Sequence, residues 1–444
     1  MPPAPGTAPT RRTKIRWLMV LLAFLAIAIN YVDRANLSVA LPYMNAELGL
    51  SPELSGLLLG AFFWTYSVFQ IPLGRLVDRF GTKVMFAAAV AWWSLFTAAT
   101  AVARGFASLF AVRLLLGLGE AGAFPACTKL VEEWFPRRER ATASGIYDSG
   151  ARGGTMLAIP IVTALVMWLG WRGSFVITGS IGLVWVAVWW WLYRRPREHP
   201  WVSEAELEHI EQDAAAQTSE ADQVRWQDLL RNRTVWGMAL GFACQAFVIY
   251  FFITWFPSYL VDERGFSLLE LGIFGTLPGI VAFAGNFLGG AVSDRLVRRG
   301  HSLTFARKSC IVGGMLGSSV IALAAVVDSS WLALALLAFS FGSVTFATTC
   351  IVTLPTDIAP RSAKSCSGTI QGIQNAASNV AGAVSPALIG LIYGFTGSFV
   401  GGLVAAGAVA VLACLIYLLV VGDIEPLPLP EGATHQSAAA DSNA

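Results

Sequence analysis

Stretches of about twenty residues with almost no charge recur along the whole chain. In lipid, a backbone segment must satisfy its own hydrogen bonds, so each stretch specifies a transmembrane helix. The runs are too long for barrel strands and lack their apolar/polar alternation. Composition agrees: 55% of the 444 residues are hydrophobic and 13% are charged, where a soluble domain carries about a quarter charged. Mean hydropathy is +0.62. The fold class is an all-α polytopic membrane protein.

Breaks at Gly, Pro and charge clusters divide the chain into twelve spans. Residues 1–16 form a basic tail, expected to be disordered, and Trp17 opens a retained first span. Six spans fill 17–193, and six fill 234–422. A charged linker, 194–233, separates the halves; in it, Ser203 and Glu206 have the spacing of a capping box that opens a short surface helix. Residues 423–444 are expected to be a disordered tail. With both termini assigned inside, 23 basic residues fall in cytoplasmic segments and 3 in outer loops. That bias predicts cytoplasmic termini. The 6 cysteines lie within apolar spans and read as small helix-packing side chains rather than disulfide or metal partners.

The halves also repeat. A shift of 216 positions brings Glu47, Gly49, Ser51, Gly56, Gly74, Asp78 and Arg79 onto Glu263, Gly265, Ser267, Gly272, Gly290, Asp294 and Arg295. A parallel six-plus-six repeat is the plan of a transporter with its site between two halves at mid-membrane.

Charges inside the spans break the apolar pattern. Each costs about 3 kcal/mol at a helix centre, so each is a functional candidate. Asp33 and Arg34 stand side by side roughly 24 Å from the start of the first span. Arg113 and Glu120 are seven apart on one face of the fourth. Asp148 and Arg152, four apart on the fifth, can pair directly. Three acids and three arginines make an empty site neutral. An entering carboxylate adds a negative charge, and protonating one acid restores balance. That arithmetic fits proton-coupled uptake of an organic anion, with Arg34 receiving the anion and Asp33 releasing its charge. The second half carries amides and aromatics instead: Gln245, Tyr250, Asn375 and Asn379 suit hydroxyls and sugar-like C–H surfaces, or serve as helix–helix glue. The 4 histidines all lie in loops or the tail, which excludes a His-based hydrolase at membrane depth.

"GRLVDRFGTK", with Gly74, Asp78 and Arg79, resembles the loop signature of the major facilitator superfamily, and "GGAVSDR", with Asp294 and Arg295, is its degenerate copy. "RLLLGLGEAGAFPA" and "NYVDRANLS" resemble the anion:cation symporter branch. That branch includes proton symporters for galactonate, glucarate and hexuronates. The resemblance implies that Tyr31, Asp33, Arg34, Tyr66 and Glu120 serve substrate and proton binding. It also implies that Arg79 and Arg295 latch the cytoplasmic face. Where the branch commonly has a Gln after "SG", Ser149 and Gly150 lead here to Ala151 and Arg152.

The expected function is proton-coupled import of a sugar acid by alternating access. Proton coupling is assigned to Asp33, Glu120, Arg113 and Asp148. Substrate binding is assigned to Tyr31, Arg34, Tyr66, Arg152, Gln245, Tyr250, Asn375 and Asn379. The alternatives are another small carboxylate or aromatic acid as substrate, a proton/drug antiporter, or a non-transporting nutrient sensor. No enzyme activity, cofactor, metal or nucleic-acid partner is expected. H⁺ is the expected coupling ion, with Na⁺ left open. The expected setting is a bacterial inner membrane, with the protein a monomer in the bilayer.

Overall fold

The computed structural model describes residues 13–211, 229, 231–358 and 367–426. The expectations for residues 1–12, 212–228, 230, 359–366 and 427–444 lie outside these. Helices in chain order are α1 (Ile15–Leu48), α2 (Pro52–Phe80), α3 (Thr82–Ala99), α4 (Phe106–Glu120), α5 (Ala123–Trp134), α6 (Arg137–Leu192) and α7 (Glu204–Glu211). There follow α8 (Arg233–Thr254), α9 (Phe256–Ser258), α10 (Leu268–Phe274), α11 (Leu277–Arg298), α12 (Leu303–Ser318), α13 (Ser330–Ile358), α14 (Ser367–Thr396) and α15 (Val400–Leu415).

Among the described residues, eleven helical stretches are long and apolar enough to cross a membrane. One of them, Thr142–Leu192, is 51 residues long and holds two crossings. Gly170 divides it, with φ 69 and ψ 171, a left-handed conformation that a residue without Cβ adopts at little cost. The twelve expected crossings are therefore present, but no loop separates the fifth from the sixth. Local chemistry sets other boundaries. Gly49 (φ 63) ends α1, and Pro52 opens α2. Ser267 and Glu270 form a full capping box on α10. The fourth crossing breaks between α4 and α5, directly after Glu120.

Contacts divide the chain into two compact units: Met1–Tyr43 with Trp64–Ser219, and Met44–Phe63 with Glu220–Ala444. The first half of α2 thus groups with the second half of the sequence.

In the first unit, glycines on α6 let helices close backbone to backbone. A Cβ on Gly154 would stand 2.5 Å from Ala28 O and 3.0 Å from Tyr31 Cβ; one on Gly179 would stand 2.6 Å from Ser94 O. Small residues of this kind replace the hydrophobic drive that lipid removes. Trp189 stacks on Trp185 and Tyr193, and Trp189 Nε1 donates to Lys83 O. At the end near residue 13, Glu206 is fully buried. It accepts from Thr13 Oγ1 (2.5 Å), Ile15 N and Arg16 Nη1 (2.9 Å). Arg16 also pairs with Glu139 at 2.9 Å. The expected Ser203–Glu206 box is half formed: Ser203 Oγ receives the Glu206 N–H, but the carboxylate turns to α1. Burial pushes this carboxyl up, and the donors from Thr13, Ile15 and Arg16 outweigh that and hold it below its ordinary value.

In the second unit, a Cβ on Gly56 would lie 2.6 Å from Pro386 O and one on Gly60 2.6 Å from Ala383 O, so α2 lies directly on α14. Trp255 Nε1 donates to Pro386 O at 2.9 Å. Thr345 and Thr349 on α13 donate to Ala282 O and Asn286 O on α11.

Candidate functional site

The charges that break the apolar pattern converge in the first unit. Asp33 and Arg34 are one residue apart on α1, so they point about 100° apart and meet different neighbours. Arg34 Nε donates to Glu120 Oε2 on α4 at 2.7 Å. Its guanidinium lies 4.9 Å from the ring centres of both Tyr31 and Tyr66. Glu120 is fully buried, while the Arg34 side chain keeps 13% exposure. The guanidinium is thus placed between a buried carboxylate and two aromatic rings, and its planar fork is the kind of group that recognises carboxylates.

Asp33 turns the other way and is fully buried. Glu120 and Arg113 of α4 and Thr178 of α6 surround it. Arg113 lies under Phe175 and is 3% exposed. Among the described residues, neither Asp33 oxygen completes a hydrogen bond, and neither do Arg113 Nε and Nη2, Asn30 Oδ1 and Nδ2, or Glu120 Oε1. About nine in ten buried polar groups in proteins are satisfied. Such a cluster of open valences around four charged side chains is unusual inside a membrane helix bundle and makes these residues the candidate site.

Asp148 and Arg152 do pair, at 3.2 Å along one face of α6. Their side chains are 47% and 43% exposed, so the pair is neither buried nor a lock on the half-bundle. Exposed charge at mid-span requires a water-filled space.

In the second unit, Gln245 is 1% exposed and donates to Thr348 Oγ1 at 2.7 Å, a helix–helix tie. Tyr250 packs edge-on against Phe63 at 4.5 Å. Asn379 is buried, and Asn375 is exposed.

Gly74 passes Pro125 with a Cβ allowance of 3.7 Å. Asp78 pairs with Lys129 (3.8 Å) and Asp294 with Arg307 (3.5 Å), which also holds Asp357 at 2.9 Å. Arg79 and Arg295 are exposed, and among the described residues neither joins an ion pair. The acids of the two loop signatures are therefore held by cations other than their neighbours.

Sequence reasoning passed over Asn30, Asn36, Ser174 and Thr178, and the cations Lys129 and Arg307. Asn30, Asp33 and Asn36 recur every three residues along one face of α1, a signal present in "INYVDRANLS". Among the described residues, no group of three or more His, Cys, Asp or Glu could hold a metal ion.

The sequence model of the Major Facilitator Superfamily matches residues 23–371. This chain belongs to that superfamily. A probable galactarate/D-glucarate transporter of Bacillus subtilis is 37% identical over 94% of this chain and 94% of its own length. A D-galactonate transporter of Escherichia coli is 35% identical over 95% and 99%. In fold, the chain is similar to a bacterial homolog of the human lysosomal transporter Spinster, with TM-score 0.77 and 22% identity over 94% of this chain and 98% of that one. The protein is a multi-pass membrane member of a transporter superfamily, not an enzyme.

Proposed function

We propose that this superfamily member imports a sugar acid, an aldonate, aldarate or hexuronate, together with protons. The reading places it in a bacterial plasma membrane with both termini cytoplasmic, acting as a monomer by alternating access. The relatives' substrates support the class of anion. The observation that carries the coupling is the Arg34–Glu120 pair beside the unbonded Asp33.

The proposed cycle follows from those contacts. The quartet Asp33, Arg34, Arg113 and Glu120 is neutral when all four are ionised. A substrate carboxylate takes Arg34 through its planar fork and competes with Glu120 for it. Glu120, buried and parted from its cation, then carries an uncompensated charge, which is strongly unfavourable in low dielectric. A proton on Glu120 removes that charge. Asp33 shares Glu120 and Arg113 as neighbours, so its protonation rises and falls with the same exchange. Substrate and proton thus enter together because each relieves the charge problem that the other creates.

The test is uptake of labelled glucarate and galactonate by purified protein in liposomes, under an inward proton gradient, a sodium gradient or neither. Concentrative uptake with the proton gradient alone is expected. Accumulation driven by sodium alone would overturn the choice of ion. Proton-driven movement of a lipophilic cation with no uptake of either acid would overturn the choice of substrate.

A further inference from the structure

Three tryptophans follow one another at the end of α6, and they meet different surroundings. Trp189 is fully buried, but Trp190 and Trp191 are 53% and 69% exposed. Beyond them the chain makes a single 3₁₀ turn, Pro196–Glu198, and folds back. Trp201 N donates to His199 Nδ1 at 3.2 Å, and His199 packs edge-on against the buried Trp134 at 5.6 Å. This anchor returns Trp201 to the end of α6. Its ring meets Trp191 edge-on at 6.3 Å and stays 48% exposed. Exposed indoles in a membrane protein mark the level of the lipid headgroups, because the ring is apolar and its N–H seeks a polar partner. The crossings agree on that level: one membrane-crossing stretch ends at Leu192 and another begins at Thr82.

Three cations are held at the same level. Lys83 Nζ lies 5.2 Å from the centre of the Trp190 ring. Arg194 Nη1 donates to the carbonyls of Trp190, Trp191 and Tyr193, which pins its guanidinium at the C-terminus of α6. Arg195 reaches the turn between α2 and α3: a Cβ on Gly81 would stand 3.7 Å from its Nη2. Arg16, Lys129 and Arg197 each hold a carboxylate at 2.6–2.9 Å. Among the described residues, none of Lys83, Arg194 and Arg195 joins an ion pair, and neither does Glu198, the acid nearest to them in sequence. Positive charge is therefore in excess here, on side chains already fixed in place.

We propose that the end of α6, the α2–α3 turn and the returning linker form a binding site for the headgroup of an anionic phospholipid. The three cations take the phosphate, and the exposed indoles pack on the glycerol and the upper acyl chains. Basic residues beside a membrane surface attract anionic lipid; their fixed placement around three rings adds a defined pocket edge. The site is separate from the deep quartet, and the inference does not depend on which anion is carried.

The test is equilibrium lipid binding to the full-length protein in detergent, read by native mass spectrometry. The probes are phosphatidylglycerol and phosphatidylcholine with the same acyl chains. The wild type should bind phosphatidylglycerol about 10-fold more tightly than phosphatidylcholine. One basic residue near an anionic headgroup corresponds to about a 5-fold change in binding. Lys83→Gln combined with Arg195→Gln should therefore weaken phosphatidylglycerol about 25-fold and leave phosphatidylcholine within about 2-fold. Arg194 stays in place because it also caps α6. Trp191→Ala, at the most exposed of the three rings, leaves the charge intact and should weaken both lipids about 3- to 5-fold; it serves where the double variant expresses poorly.

Arg298→Gln combined with Arg299→Gln removes the same charge from the exposed end of α11 and should leave phosphatidylglycerol binding unchanged. Equal losses in the two double variants would reduce the effect to net charge and overturn the site. So would equal binding of the two lipids by the wild type, or unchanged binding in Lys83→Gln with Arg195→Gln and in Trp191→Ala. Soluble glycerol 1-phosphate carries the headgroup charge without acyl chains and should not displace the lipid. Displacement at matched concentration would make this a site for a soluble phosphate and overturn the choice of ligand.

Discussion

Arg34 and Glu120, 86 positions apart in sequence, meet Nε to Oε2 at 2.7 Å with the acid wholly buried. The pair joins α1 to the point where the fourth crossing breaks. In the proposed cycle it is also the contact that an entering carboxylate opens. Affinity, coupling and selectivity can each be tested around it.

Arg34→Lys replaces a planar fork with a point charge. One charge-assisted hydrogen bond to the anion is lost, about 1.5–3 kcal/mol. Binding of glucarate to purified protein should weaken by roughly 10- to 100-fold, with normal elution on size exclusion. Calorimetric titration checks it; unchanged affinity would show that another group anchors the carboxylate.

Glu120→Gln copies the protonated acid. The variant should still exchange labelled substrate for unlabelled substrate across the liposome membrane. It should lose accumulation driven by a proton gradient. Counterflow and gradient-driven uptake, measured side by side, separate the two activities. Undiminished accumulation would move the coupling proton elsewhere.

Arg152→Gln bears on diacids. Arg152 lies in open space and leans on Asp148 at 3.2 Å, so its charge is only partly consumed. Aldarates carry a second carboxylate and aldonates do not. The variant should therefore lose about 5- to 10-fold more affinity for glucarate than for gluconate, a difference of about 1 kcal/mol. Competition against one labelled substrate measures the ratio. Equal losses would assign the pair to helix structure.

Glu206 links stability to pH. Its folded-state value lies below the ordinary 4.5. The ionised form is thus favoured by folding, and the stabilisation is present above pH 4.5 and lost as pH falls through the folded value. Glu206→Gln leaves the buried Arg16 without one partner, at a cost of about 3 kcal/mol. Its melting temperature should fall at pH 7, and the gap to wild type should close as both are taken toward pH 4. A gap that stays constant with pH would mean that packing, not charge, holds α7 to α1.

The membrane topology was legible because apolar length is a property of the chain itself. The deep acids and arginines were legible for the same reason, as violations of that length. What they pair with was not. Glu120 has no cation within a turn, and its partner is fixed only when α1 packs beside α4. The loop signatures were read in terms of Arg79 and Arg295, whose neighbouring acids are held instead by Lys129 and Arg307 from other helices. Gln245 looked like a hydroxyl reader, but its rotation about α8 turns it inward to Thr348. Helical rotation is a tertiary outcome that a uniformly apolar span does not encode. Asn30 and Asn36 share a face with Asp33. Amides in membrane helices so often tie helices together that their spacing did not separate a site from glue.

The turn at Gly170 is a corner shared by two crossings. One residue joins the fifth and sixth crossings, so there is no slack between them at that end. Arg152 and Asp148 ride on one arm; Ser174 and Thr178 ride on the other. Both crossings thus hang on one corner, and a side chain placed at Gly170 would strain the two of them at once.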